Sequence, residues 1–155
     1  MPVTIRQAGK SDTDAVTSAG VDAQRFQSDL LGHIPPSGRS DFYGPLIDRN
    51  SVWLIEEGRD IVGVMVLERI DDHLLVRNIG VVPSRRGRGY GRRLLDFAEQ
   101  RARDLSLGEL RLFSNSLNKP AIAIFEHVGY VAFGTHASRF PGQVLIDMAK
   151  RIDAT

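Results

Sequence analysis

Val81-Val82-Pro83-Ser84-Arg85-Arg86-Gly87-Arg88-Gly89-Tyr90-Gly91-Arg92-Arg93-Leu94-Leu95 carries the end of an apolar strand into a helix through closely spaced glycines set among arginines. Gly87, Gly89 and Gly91 have access to backbone angles closed to other residues and let the main chain approach a ligand. The helix behind them offers its first unpaired N–H groups and the positive end of its dipole. Arg86, Arg88, Arg92 and Arg93 add charge, and a guanidinium grips phosphate oxygens two at a time. A pyrophosphate is the ligand that matches this junction best. A dinucleotide-binding fingerprint needs a third glycine at position 92, where Arg92 stands, and a P-loop needs Gly-Lys-Ser/Thr after the turn, which is missing. Disordered RNA-binding segments share the Arg-Gly-Tyr-Gly-Arg texture, but they repeat and have no amphipathic helix behind them.

Upstream of the junction the texture is that of strands. Val52 to Glu56, a turn at Glu57-Gly58-Arg59-Asp60, and Ile61 to Leu67 give a hairpin signal, and Asp71-Asp72 marks a further turn before Leu74 to Val82. Nearer the start, Val3 to Arg6 reads as a short strand. Ser11-Asp12 then offers a cap for a helix reaching about Leu31, with Ala15, Ala19, Ala23, Phe26 and Leu30 at helical spacing. The prolines and glycines of Gly32 to Gly38 predict a loop, and a second helix is expected over about Ser40 to Arg49. Downstream, Gly91, Leu94, Leu95, Ala98, Ala102 and Leu105 mark one face of an amphipathic helix, with Glu99 four before Arg103 on the outer side and Gly108 at the end. Leu110 to Ser114 alternates as a strand. Asn118 caps a shorter helix with Pro120 in its first turn, Gly129 closes it, and Tyr130 to Thr135 and Val144 to Ala149 are the last strands. The order predicts an α/β layer: a mixed, mostly antiparallel sheet of about seven strands with about four helices.

The 155 residues suit a single domain with a core of its own, and the hydrophobic fraction of 42% and charged fraction of 25% are those of a globular protein. No apolar run approaches the roughly 20 residues of a membrane helix. The opening Met1 to Arg6 has no basic segment followed by a long apolar one, so no secretory signal is expected. With no cysteine there is neither a disulfide nor a thiol nucleophile, which suits a cytoplasmic address. A net charge of +1 gives nucleic acid little to bind beyond the local patch at 85 to 93. His33, His73, His127 and His136 show no metal-ligand spacing, so no metal is expected.

Strand, glycine turn and long helix, followed by strand, capped short helix, glycine and aromatic, resemble the GNAT superfamily of acyl-CoA-dependent N-acetyltransferases over nearly the whole chain. The family's turn motif of Gln or Arg, two residues, Gly, one residue, then Gly or Ala is matched without a gap by Arg86-Gly87-Arg88-Gly89-Tyr90-Gly91. A second block, Asn118, Ala121, Phe125, Gly129, Tyr130, has the spacing of the family's Asn, Ala, Tyr, Gly, aromatic signature. Leu112-Phe113-Ser114-Asn115 is similar to the Leu-Tyr-Thr-Asn texture of a group of small bacterial members. The resemblance implies acetyl-CoA as co-substrate, transfer of its acetyl group to a primary amine by direct attack, and frequent pairing of subunits. It further implies that the turn's amides, with Arg86 to Arg92 around them, bind the pyrophosphate. The backbone at Val81 and Val82 would pair with the pantetheine arm and supply the oxyanion donor, while Asn118 and Phe125 would lie against the coenzyme.

Two departures bear on the chemistry. Phe125 occupies the position at which many members carry a tyrosine thought to protonate the departing thiolate, and a phenyl ring has no proton to give. The strand from Leu74 to Ile79 holds no carboxylate where a glutamate often relays the amine's proton, and Arg77 there would repel a cationic acceptor. Water, Ser114, His33 or Tyr43 are the available substitutes, and spacing identifies none of them. An acyl-CoA-binding module with little turnover is therefore the alternative to an enzyme. The plainer roles are a helix cap for Asn118, a strand-to-helix turn for Asn115, and core packing for Trp53. Phe26, His33 and Tyr43 lie where the family builds its acceptor pocket, and packing accounts for them equally well.

Overall fold

The computed structural model describes residues 2–153. Alternating and continuous apolar runs become β1 (Val3–Gln7), β2 (Val52–Glu57), β3 (Asp60–Ile70), β4 (His73–Val81), β5 (Glu109–Asn115), β6 (Val131–Ala137) and β7 (Val144–Arg151). The helices are α1 (Thr13–Ala23), α2 (Arg25–Leu31), α3 (Tyr43–Asp48), α4 (Tyr90–Asp104) and α5 (Lys119–His127). The strands form a seven-stranded sheet in the order β1-β2-β3-β4-β5-β7-β6. β4 and β5 are parallel, Leu74 opposite Leu110 and Val76 opposite Leu112, while β1–β2, β2–β3, β5–β7 and β7–β6 are antiparallel. A parallel pair needs a crossover, and α4 supplies it. Among the described residues no helix is long and apolar enough to cross a membrane.

The chain divides into two compact units, one of residues up to Glu68 with Arg77–Phe97, the other of Arg69–Val76 with residues from Ala98 onward. In the first, Val16, Ala19, Tyr43, Leu46, Ile47, Val52, Leu54, Val64 and Val66 form a continuous apolar cluster between α1, α3 and the strands. Two strand glycines hold this unit tight. A Cβ at Gly63 would stand 3.0 Å from the Gly80 carbonyl oxygen, and one at Gly80 would stand 2.9 Å from the Ala23 Cβ. Trp53, half-buried, packs against Phe97 with ring centroids 4.8 Å apart, a packing role at the edge of the core.

The first helix is not continuous to Leu31. It breaks at Gln24, whose backbone leaves the helical region at φ −93°, ψ 0°, and whose side chain turns inward to donate to Asn78 Oδ1 at 3.0 Å. Burial of that amide directs the chain there more strongly than apolar spacing does. The next helix begins at Tyr43 rather than Ser40, and Pro45 falls in its first turn, where a missing N–H is tolerated.

In the second unit Leu110, Leu112 and Met148 are buried on one face of β5 and β7. Glu99 of α4 pairs with Lys150 of β7 as well as with Arg103, so it faces the sheet rather than the outer side. α4 is terminated by Ser106 in the left-handed region at φ 56°, with the Leu107 amide returning to the Ala102 carbonyl, ahead of the Gly108 expected to end it. Gly129, at φ 106°, closes α5 as expected.

Candidate functional site

β4 ends at Val81, and a short 3-10 turn at Pro83–Arg85 leads to Arg86 in extended conformation. Gly87 and Gly89 then take φ of 79° and 81°, the left-handed values that a side chain disfavours. A Cβ at either would meet no atom within 4 Å, so the glycines serve conformation and leave the main chain open. Gly91 lies inside the first turn of α4, and a Cβ there would make only an ordinary contact, 3.8 Å from Val81 Cγ2. The first intrahelical bond runs from the Arg93 amide to the Gly89 carbonyl at 3.0 Å, which leaves the amides of Tyr90, Gly91 and Arg92 at the helix's positive end.

The arginines divide between scaffold and surface. Arg86 donates through Nη2 to the Ala23 carbonyl at 3.0 Å and through Nε to the Val81 carbonyl at 3.3 Å, tying the turn to the end of α1. Arg92 pairs with Asp96 one helical turn on, at 3.1 Å. The Arg88 guanidinium, half exposed, lies 3.7 Å from Glu57, and Arg85 lies 3.7 Å from both Glu57 and Asp60. Tyr90 points inward, buried, and donates its hydroxyl to Glu57.

Glu57 is thus the hub of the turn, and the sequence reading placed it only in a hairpin bend. Its hydrogen bond from Tyr90, followed by the charges of Arg85 and Arg88, holds its carboxyl below the usual range. The same bond pushes the Tyr90 hydroxyl up. No local motif announces Glu57, which reaches Tyr90 across 33 positions of sequence.

The Val82 amide donates to the Val62 carbonyl of β3 at 2.9 Å, so it is committed to the sheet. Alternation along a strand sends the Val81 amide to the opposite edge of β4 from the Val82 amide. Arg77 is ion-paired with Glu68, so its charge is compensated. Tyr43 is fully buried, accepts from Asn78 at 3.0 Å and donates to the Ser37 carbonyl at 3.1 Å. Burial pushes its hydroxyl well above the ordinary range, and Tyr43 belongs to the core. Phe26 is 50% exposed on α2.

The remaining site candidates lie in the second unit. Asn118 caps α5, its side-chain oxygen accepting from the Ala121 amide at 3.4 Å. Phe125 is half-buried and meets Tyr130 edge-on at 6.0 Å. Asn115, buried, accepts from the Leu117 amide at 3.0 Å and donates to Gln143 at 2.9 Å, which fastens the β5–α5 turn to the loop before β7.

A mixed sheet flanked by helices, in which a turn with two left-handed glycines joins a strand to a long helix, defines an α/β class of protein. Residues 24–130 match the model of the acetyltransferase (GNAT) family, and the chain belongs to that family. It is 32% identical over 72 residues to a streptothricin acetyltransferase of Streptomyces lavendulae, an overlap of 46% of this chain and 38% of that one. The chain thus matches well under half the length of this curated relative. The fold is similar to that of the PaiA N-acetyltransferase of Thermoplasma acidophilum in complex with coenzyme A, with a TM-score of 0.82, 15% identity, and 97% and 99% of the two chains covered. It is also similar to a nourseothricin acetyltransferase, with a TM-score of 0.62, 25% identity, and 66% and 65% covered.

Proposed function

We propose that this chain transfers an acetyl group from acetyl-CoA to a primary amine by direct attack on the thioester. The observation that carries the reading is the pair of left-handed glycines, Gly87 and Gly89, between β4 and α4 in a member of this family. The pyrophosphate sits on the amides from Gly87 to Arg92, with Arg88 as the charge nearest to hand, while Arg86, Tyr90 and Glu57 keep the turn in shape. The pantetheine arm runs along Val81, whose amide faces the charge that develops on the thioester oxygen. The amine's lone pair attacks the carbonyl carbon, the C–N bond forms, the C–S bond breaks and the electron pair leaves on sulfur. No covalent enzyme intermediate is involved, since the chain has no cysteine and no triad spacing. Likeness to proteins named for streptothricin and nourseothricin supports a small amine-bearing acceptor. The competing reading is a coenzyme-binding module with little turnover, and the observation favouring it is Phe125, which has no hydroxyl to protonate the thiolate.

Calorimetric titration with acetyl-CoA at low phosphate, without acceptor, tests the site. Micromolar or tighter binding is expected in the wild type. Gly89→Asp should abolish it by setting a carboxylate against the pyrophosphate, while Gly89→Ala, which shares the backbone strain but not the charge, should keep part of it. Equal affinity in all three rejects the site, and binding without amine-dependent thiol release selects the module.

A further inference from the structure

β6 ends the sheet, and among the described residues it pairs with β7 alone. All seven of its residues are exposed, Val131 to 68% and Phe133 to 56%. An open strand edge is a template for another strand, and proteins usually blunt it with charge, proline, short length or a bulge. β1, at the other end, is five residues long and carries Arg6, which is paired with Asp12 and Glu56. β6, Val131-Ala132-Phe133-Gly134-Thr135-His136-Ala137, holds no lysine, arginine, carboxylate or proline. It does hold a bulge: its register with β7 shifts between Ala132 and Gly134, which makes Phe133 the extra residue. The ladder is interrupted there and an aromatic ring is presented instead. That ring lies 5.0 Å from the Arg111 guanidinium, which pairs with Glu109, so it is held in place before any partner arrives.

The surface continues inward from β6. Arg111, Ala149 and Val131 stand opposite one another across β5, β7 and β6, as do Phe113, Asp147 and Gly134, so these residues share one side of the sheet with Leu145. On the other side Leu112 and Met148 are buried, whereas Phe113, Leu145 and Ala149 are only half-buried. Exposed Val131 and Phe133 thus border half-buried apolar residues. The charges on this side balance: Arg111 and Arg151 stand with Glu109 and Asp147, and His136 Nδ1 lies 2.9 Å from Asp147. A nucleic acid or a charged peptide needs an excess of one sign, which this surface does not offer. A two-fold interface sets a patch against itself, and a patch of balanced charge meets its own copy without net repulsion.

We propose that this surface binds a second copy of the chain, the two β6 strands meeting antiparallel about a two-fold axis near Gly134, with Phe133 of each copy as the anchor. Gly134 is the middle residue of the strand, and a Cβ there would meet no atom within 4 Å. Aromatic residues near the centre of an interface carry much of its energy, and Phe133 lies one residue from the axis. A stable dimer buries roughly 800 Å² per partner, more than one strand edge provides, and the half-buried side of β5 and β7 supplies the remainder. The pairing needs neither coenzyme nor acceptor, so it stands or falls separately from acetyl transfer.

Sedimentation equilibrium of the full chain, without ligand, tests this for wild type, Phe133→Asp and Phe26→Asp. The wild type should sediment as a dimer at micromolar concentration. Phe133→Asp should raise the dimer Kd at least about 30-fold, as loss of an interface anchor does. Phe26→Asp, at an exposed aromatic of the first unit, should leave that Kd unchanged. Because the chain has no cysteine, Gly134→Cys gives a second readout that does not depend on how Phe133→Asp folds. Mild oxidation should link two copies of Gly134→Cys through their thiols and should link none of Phe26→Cys. A wild type that stays monomeric overturns the pairing. So does a dimer that keeps its Kd in Phe133→Asp and forms no disulfide in Gly134→Cys, since the copies would then meet elsewhere.

Discussion

Glu57 shows how a single carboxylate organises a turn it does not itself form. It meets Tyr90 from the first turn of α4, Arg88 from between the two left-handed glycines and Arg85 from the 3-10 turn before them. An acid so near the proposed phosphate site is tolerated because two guanidinium groups balance it. Replacing Glu57 with Ala should release Tyr90 and loosen the turn, raising the Kd for acetyl-CoA about tenfold, in keeping with loss of a hydrogen bond to a charged group. Titration calorimetry on Glu57→Ala and Tyr90→Phe checks this, with both variants expected to move in the same direction. Tighter binding in Glu57→Ala would mean instead that Glu57 competes with the phosphates for Arg85 and Arg88. At this scale the sequence yields what is local. The conformations of Gly87 and Gly89 and the cap at Asn118 follow from residue type, whereas Glu57, and the capture of the Arg86 guanidinium by the Ala23 carbonyl, depend on contacts made 33 and 63 positions away.

At the scale of elements, burial decides where periodicity misleads. Apolar spacing carries one helix from the cap at Ser11-Asp12 to about Leu31, yet the structure spends Gln24 on a buried chain of hydrogen bonds, Gln24 to Asn78 to Tyr43 to the Ser37 carbonyl. Such a chain is invisible in a sequence because each member alone reads as an ordinary polar or aromatic residue. Room for it is made by Gly20 on α1. The Tyr43 ring lies directly against its Cα, and a methyl added there would overlap the ring and its hydroxyl. Tyr43 has no exposed side on which to retreat, and the ring is fixed at its far end by Asn78 and Ser37. Gly20→Ala should therefore destabilise the protein by about 1–3 kcal/mol despite the better helix propensity of alanine. Chemical denaturation measures the difference, and an alanine variant as stable as the wild type would show that α1 and α3 part without cost.

Over the whole molecule, element order is readable from the sequence and strand order is not. Turns such as Glu57-Gly58 and Asp71-Asp72 announce hairpins, and the parallel β4–β5 pair follows from the long helix between them. Nothing local says that β7 inserts between β5 and β6, because Glu109 to Asn115 finds its β7 partners 30 to 42 residues on. What the two readings share is the glycine turn, and its proposed ligand has a global signature. A ligand bound only by the native state adds RT ln(1 + [L]/Kd) to stability, about 2.7 kcal/mol at a hundredfold excess over Kd. For a chain of this length that corresponds to a rise in Tm of roughly 5–10 °C. Thermal denaturation with saturating acetyl-CoA should show this rise in the wild type and lose it in Gly89→Asp. A shift reproduced by inorganic phosphate at the same concentration would reduce the site to a simple anion cradle. The absence of any shift would remove the coenzyme from the turn.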